Sequence, residues 1–167
     1  DKSMRNWFVG LLFALGALLH LYKGFSKQEN ISLNFAGLFA VGVAIIPMEW
    51  NCGDECQKLA LHGTCAILLF LCIAYVCIFR ASDTLRLLKN KVLAGRYRNT
   101  YRLLGVGMVL SPLIAMLMTV MFRQFKSYTF FVEAAGIWTF AAYWLVKSRE
   151  LSYTNAERLV LRGKLRI

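Results

Sequence analysis

Leu59–Phe79 reads LALHGTCAILLFLCIAYVCIF, and Arg80–Arg102 follows it directly as RASDTLRLLKNKVLAGRYRNTYR. The first stretch contains no Asp, Glu, Lys or Arg. A bilayer hydrocarbon core of about 30 Å takes roughly 20 helical residues, so this stretch is long enough to cross one. The second holds Arg80, Arg86, Lys89, Lys91, Arg96, Arg98 and Arg102 against Asp83 alone. An apolar run ending in a basic block is the pattern of a membrane span that stops on the cytoplasmic side.

Four more segments of the same kind lie outward from it. They are about Trp7–Tyr22, Leu33–Trp50, Tyr101–Phe122 and Tyr128–Val146. The expected fold is all-α, a polytopic transmembrane helical bundle of five spans forming a single domain over 1–167. The composition agrees: of 167 residues 58% are hydrophobic and 17% charged, with a mean hydropathy of +0.52. Soluble domains average about 45–50% apolar and about 25% charged residues. A disordered chain is excluded for the same reason. The short alternating segments of a membrane β-barrel are missing. Helices satisfy their own backbone groups in lipid, so five spans mean five helices.

The net charge of +11 orients the spans. Residues 80–100 form a basic loop, and the tail 147–167 carries Lys147, Arg149, Arg158, Arg162, Lys164 and Arg166 against Glu150 and Glu157. Both belong in the cytoplasm. The loop with Lys23 and Lys27 then lies inside, and the loop with Glu49, Asp54 and Glu55 lies outside. The N-terminus is expected outside. The short basic 4–5 connection (Arg123 to Lys126) opposes the rule mildly. The chain begins at Asp1 rather than Met, and the expectation is that a signal peptide or an earlier span preceded it.

The positive charge therefore reports topology first. It also attracts anionic inner-leaflet lipid at about 1 kcal/mol per basic residue near the surface. Arg80, Arg86, Lys89, Lys91, Arg96, Arg98 and Arg102 are the expected headgroup contacts. Nucleic acid is not an expected partner, because the basic residues sit at membrane ends rather than on a soluble aromatic-lined surface. In the 3–4 connection, Ser82 or Asp83 could cap a short interfacial helix with Leu85, Leu88 and Val92 on one face. The other reading is that span 3 continues into the cytoplasm. Leu151–Leu165 mixes Leu and Val with Arg and Lys, which suits lying on the membrane or docking a partner.

Polar groups at membrane depth are costly and each needs a reason. Glu133 lies about one turn in from the outer end of span 5, solvated at the interface, buried against another span, or part of a ligand or proton site. His62, near the outer end of span 3, is its expected partner at the same depth. With Glu49, Asp54 and Glu55 the two make a polar outer-face site. His20 sits at the opposite end of its span, which argues against a bis-histidine haem. No HExxH, GxSxG, P-loop or GxGxxG motif is present, and no cofactor is expected. Cys52 and Cys56 flank the acidic loop and suit a disulfide in an oxidising compartment. Free thiols packed as small hydrophobes, or a soft metal held by Cys52, Cys56, His62 and Cys65, are the other readings. Cys72 and Cys77 are packing residues. Intramembrane glycines let helices approach closely. Pro47 bends or ends span 2, and Pro112 kinks span 4. Asn30-Ile31-Ser32 matches a glycosylation acceptor but falls on the cytoplasmic side, so it is expected unmodified.

These residues favour a non-enzymatic membrane protein acting through lipid contacts, a protein partner or a second copy of the chain. The rivals are a proton-coupled channel or transporter, a lipid-modifying enzyme with an outer-face site, and a small subunit of a membrane complex. The segment Ile31–Tyr75, ISLNFAGLFAVGVAIIPMEWNCGDECQKLALHGTCAILLFLCIAY, combines a small-residue-rich span, a break at Pro47, a short outer loop and His62-Gly63. It resembles the DRAM-like group of multispan membrane proteins. The last span, with Glu133 followed by Trp138, Phe140 and Tyr143, is similar to that group's last span. The resemblance covers half of the chain. It implies six helices with both termini in the cytoplasm, and a role in membrane lipid handling, trafficking or autophagy without established catalytic residues. Five spans with an outside N-terminus are what loss of the first helix would leave.

Overall fold

The computed structural model describes residues 2–46, 61–88, 90–121 and 128–155, and all regular structure among them is helical. α1 is Lys2–Leu21, α2 Lys27–Ile45, α3 Leu61–Tyr75, α4 Lys91–Met121 and α5 Tyr128–Thr154. Each expected segment overlaps one of these five helices, and the third runs on past Tyr75 into the turn that follows α3. By length and composition, one helical run among the described residues, Leu61–Leu87, is long and apolar enough to cross a membrane, and Arg5–Leu21 is a shorter apolar helix.

Local chemistry sets the ends. Ser26 caps α2, its Oγ accepting from the Glu29 N–H at 3.2 Å, while Glu29 Oε2 reaches back to the Phe25 N–H at 2.7 Å. This is a Ser-x-x-Glu capping box shifted one residue outward. α2 stops at Ile46, which is extended at φ −85° and ψ 112°. That is the conformation a following proline enforces, so Pro47 ends the helix rather than bending it. α4 runs without interruption through Pro112.

Of the two readings of the connection after α3, the helical run that continues to Leu87 favours an extension of span 3 over a separate interfacial helix. α3 opens into a π turn over Val76–Arg80, in which the Ala81 N–H donates to Val76 O at 2.7 Å, and then a 3₁₀ turn over Thr84–Leu87. Neither Ser82 nor Asp83 caps a helix there; Asn90 caps α4 instead, its Oδ1 accepting from the Val92 and Leu93 N–H groups at 3.0 and 3.2 Å. Thr84 and Leu85 point inward and are buried, whereas Val92 is 70% exposed. Leu85 and Val92 therefore share no face. The wide π turn rotates the chain so that Val76, Cys77 and Ala81 all reach the core.

Successive helices pack on one another, α1 on α2, α2 on α3, α3 on α4 and α4 on α5. The α1–α2 crossing is tight: a Cβ on Gly37 would lie 2.7 Å from Gly16 O, and a Cβ on Gly16 2.9 Å from Gly37 O. Gly105 admits Cys77 and Ile78, and Gly136 admits the Phe70 ring. The expectation that glycines permit close approach holds at these positions. The core gathers Leu19, Leu33, Ile73, Val76, Met108 and Tyr143. The outer surface is apolar too: Leu21 (77%), Trp138 (75%), Leu103 (73%) and Trp7 (72%) are exposed.

Candidate functional site

The most polar interior site lies where the end of α5 meets the 3₁₀ turn, the start of α4 and the α1–α2 loop. α5 continues as a helix past Val146, so Lys147 and Glu150, three residues apart, share a face one turn beyond the apolar stretch. Lys147 is 1% exposed and Glu150 0%. The Lys147 ammonium donates to Thr84 Oγ1 at 2.7 Å, Glu150 Oε2 at 3.0 Å and Ala81 O at 3.3 Å. Its three donors are all used. Tyr101 OH donates to the same Glu150 Oε2 at 2.8 Å. The Phe25 and Tyr101 rings each lie 5.6 Å from the ammonium, within cation–π range.

Glu29 completes the cluster from the start of α2 and is also buried. Burial pushes its carboxyl up from the ordinary 4.5, although the Lys147 charge and the Phe25 N–H pull the other way. Asp83 and Glu150 add repulsion in the same direction as burial. One oxygen each of Glu29 and Glu150 is buried without a hydrogen-bond partner among the described residues. Beside the cluster runs a chain of rings from α4 through α5 to the end of α1: Tyr97–Tyr101 at 6.3 Å, Tyr101–Tyr143 at 5.9 Å, Tyr143–Trp144 at 5.6 Å and Trp144–Tyr22 at 5.0 Å. Tyr22, Tyr143 and Trp144 thus pack inward, while Trp138 faces outward.

The sequence counts Lys147 and Glu150 in the basic tail, and the structure encloses both. Desolvation of an ion pair is tolerable only when the remaining donors are satisfied, and Ala81 and Thr84 supply that. Their position in the fold comes from the π and 3₁₀ turns, which no spacing in the sequence announces. The Lys-x-x-Glu pair in a helix outlasting its span, and the Ser-x-x-Glu start of α2, were the legible signals.

At the opposite end of the bundle His62 is half-buried, with its Nδ1 2.7 Å from Ile46 O. The backbone oxygen accepts, so Nδ1 carries the hydrogen. His62 thereby ties the start of α3 to the end of α2. Glu133 belongs to α5, but its side chain lies outside the described residues, as do Glu49, Cys52, Asp54 and Cys56. Glu55 lies outside them as well. Cys65, Cys72 and Cys77 are free thiols. Among the described residues no three His, Cys, Asp or Glu side chains converge as a metal site would require. His62 also borders a cavity of about 210 Å³ between α1, α3 and α5, walled by residues such as Leu12, Leu15, Leu69, Phe70 and Phe140.

Of the basic residues, Arg86, Lys91, Arg96, Arg98 and Arg102 are exposed, and Lys89 lies outside the described residues. Arg80 is tethered, its Nη1 3.6 Å from Asp83 Oδ2 and its Nε donating to Tyr75 OH at 3.4 Å. No family model matches the chain, and neither a curated protein nor a solved structure matches it.

Proposed function

We propose that the chain is a five-span membrane protein with its N-terminus outside and its C-terminus in the cytoplasm. It acts without catalysis, through lipid and partner contacts. The resemblance to the DRAM-like group adds membrane lipid handling or trafficking as the process it serves. The observation that carries this reading is the inverted polarity of the bundle. Leu21, Trp138, Leu103 and Trp7 stand on its outside, while Lys147, Glu150 and Glu29 are enclosed. In water that distribution leaves many large apolar side chains exposed, an arrangement soluble monomers rarely carry as contiguous patches. In a bilayer the same exterior is solvated by lipid tails, and polar groups turn inward.

The apolar run Leu61–Leu87 supports the same reading. Only 28% of its most apolar 18-residue window is buried, whereas the core helix of a water-soluble protein would be mostly enclosed. The exposed Arg86, Lys91, Arg96, Arg98 and Arg102 then face the anionic inner leaflet. The buried ion-pair cluster serves as a polar clamp holding the inner ends of the helices in register.

Single cysteines in a background free of native cysteine test the topology. Asn51→Cys should react with a membrane-impermeant maleimide on intact cells, and Asn99→Cys only after permeabilisation. Equal labelling of both on intact cells, or release of the protein by alkaline carbonate, overturns the reading.

A further inference from the structure

The cavity beside His62 is walled by residues of four helices. Leu12 and Leu15 come from α1, Val43 from α2, Leu69 and Phe70 from α3, and Phe140 from α5. At its rim Phe8 is 42% and Ile137 46% exposed, so the cavity opens sideways between α1 and α5, toward what would be the outer leaflet. His62 is the one side chain among its described walls that carries a polar group.

We propose that this cavity binds a single hydrocarbon chain whose polar end bears a hydroxyl, received by His62. The proposal rests on the membrane reading above and names the ligand class. Size sets the chain. An apolar cavity of about 150 Å³ admits benzene, so one of about 210 Å³ holds roughly eight carbons by the same scale. That fits one chain segment and excludes paired chains. The polar end is set by the tautomer. Nδ1–H is committed to Ile46 O at 2.7 Å, which leaves the neutral ring with a lone pair on Nε2. That atom accepts a hydrogen, so a hydroxyl matches it and an ether or ester oxygen does not. An aliphatic alcohol or a monoacylglycerol has the required chemistry.

Photolabelling tests this on the full chain in phosphatidylcholine nanodiscs. The probes are a decanol with a diazirine in its chain, its methyl ether, and the corresponding decanoic acid. The alcohol should label Ala66–Ile73 of α3 and Ile137–Phe140 of α5 about 2- to 10-fold more than the ether, the worth of one net hydrogen bond. His62→Phe should bring that ratio to about one while the ether still labels. Ala66→Phe should suppress labelling by both; if that variant melts early, Ile137→Trp at the rim takes its place. Equal labelling by alcohol and ether in the wild type overturns the proposal. So does labelling that survives both cavity-filling substitutions, which marks bulk lipid or an occupant elsewhere. Stronger labelling by the acid overturns the hydroxyl in favour of a carboxylate. Retained maleimide topology with any of these results removes the chain site alone, whereas lost topology removes both readings.

Discussion

Lys147 is surrounded by three acceptors and two aromatic faces in a region sealed from solvent. Removing its charge leaves Glu150 buried with Tyr101 as its described partner, and a stranded buried charge costs about 3–5 kcal/mol. Lys147→Met should therefore lower the thermal midpoint in detergent by roughly 6–20 °C. Adding Glu150→Leu should recover part of that loss, because apolar replacement of both partners is often neutral. Recovery stays incomplete, since Tyr101 OH loses its acceptor on Glu150, while Thr84 Oγ1 still donates to Ala81 O. Additive losses in the double variant would mean that the two groups do not act as a pair. Glu29 carries the pH dependence. Its folded carboxyl holds a proton more tightly than the unfolded one, because burial raises it above 4.5. Its stabilising contribution is then complete below that value and fades as pH climbs through the raised folded value. Melting curves taken upward from pH 4.5 should show stability falling as pH rises, and Glu29→Gln should flatten that part of the profile. An unchanged profile would place the proton elsewhere in the cluster, where Lys147, Asp83 and Glu150 are its charged neighbours.

At the scale of the helices, backbone approach matters more than side-chain bulk. Gly37 meets backbone atoms, with a Cβ falling 2.7 Å from Gly16 O and 3.3 Å from the His20 nitrogen. Backbone cannot swing aside as a rotamer can, so Gly37→Val should force α1 and α2 apart at a cost of about 1–3 kcal/mol. Gly10, on α1, has nothing within 4 Å, and Gly10→Ala should be neutral or slightly stabilising. Thermal midpoints of the two variants check the contrast, and equal effects would show that the crossing does not depend on this contact. The elements themselves were largely legible. Apolar runs located the five helices among the described residues, but the expected span 2 ran to Trp50, whereas α2 ends at Ile45, just before the extended Ile46 that precedes Pro47. The 3–4 connection was not legible. Leu85, Leu88 and Val92 have helical spacing, but the π turn at Val76–Arg80 and the Asn90 cap change the phase between them. A pattern read with a constant period fails wherever the period changes. Helix bounds differ too: α5 runs past the expected Val146 to Thr154, and α4 begins at Lys91, ahead of the expected Tyr101, because hydropathy marks apolar segments while a helix continues until something stops it.

For the whole molecule, apolar composition and charge placement point one way, and the enclosed charges point the same way. A chain with 58% hydrophobic residues and a charge of +11 separates the two along its length, and that separation is visible without coordinates. The sequence by itself determined that the chain is helical, where its apolar segments lie and where its basic blocks fall, because these follow from local composition and periodicity. His62 was legible as a polar residue in an apolar setting, but its bond to a backbone carbonyl was not. The tertiary structure brings the Ile46 carbonyl to it from the end of the preceding helix. The same is true of Lys147, which the sequence counts as one more tail cation. It becomes a buried hub only when Thr84, Tyr101 and Phe25 arrive from positions far apart in sequence to join Lys147 and its helix neighbour Glu150. Charge along a chain is a local property, whereas desolvation and hydrogen-bond completion depend on what the fold places around each group.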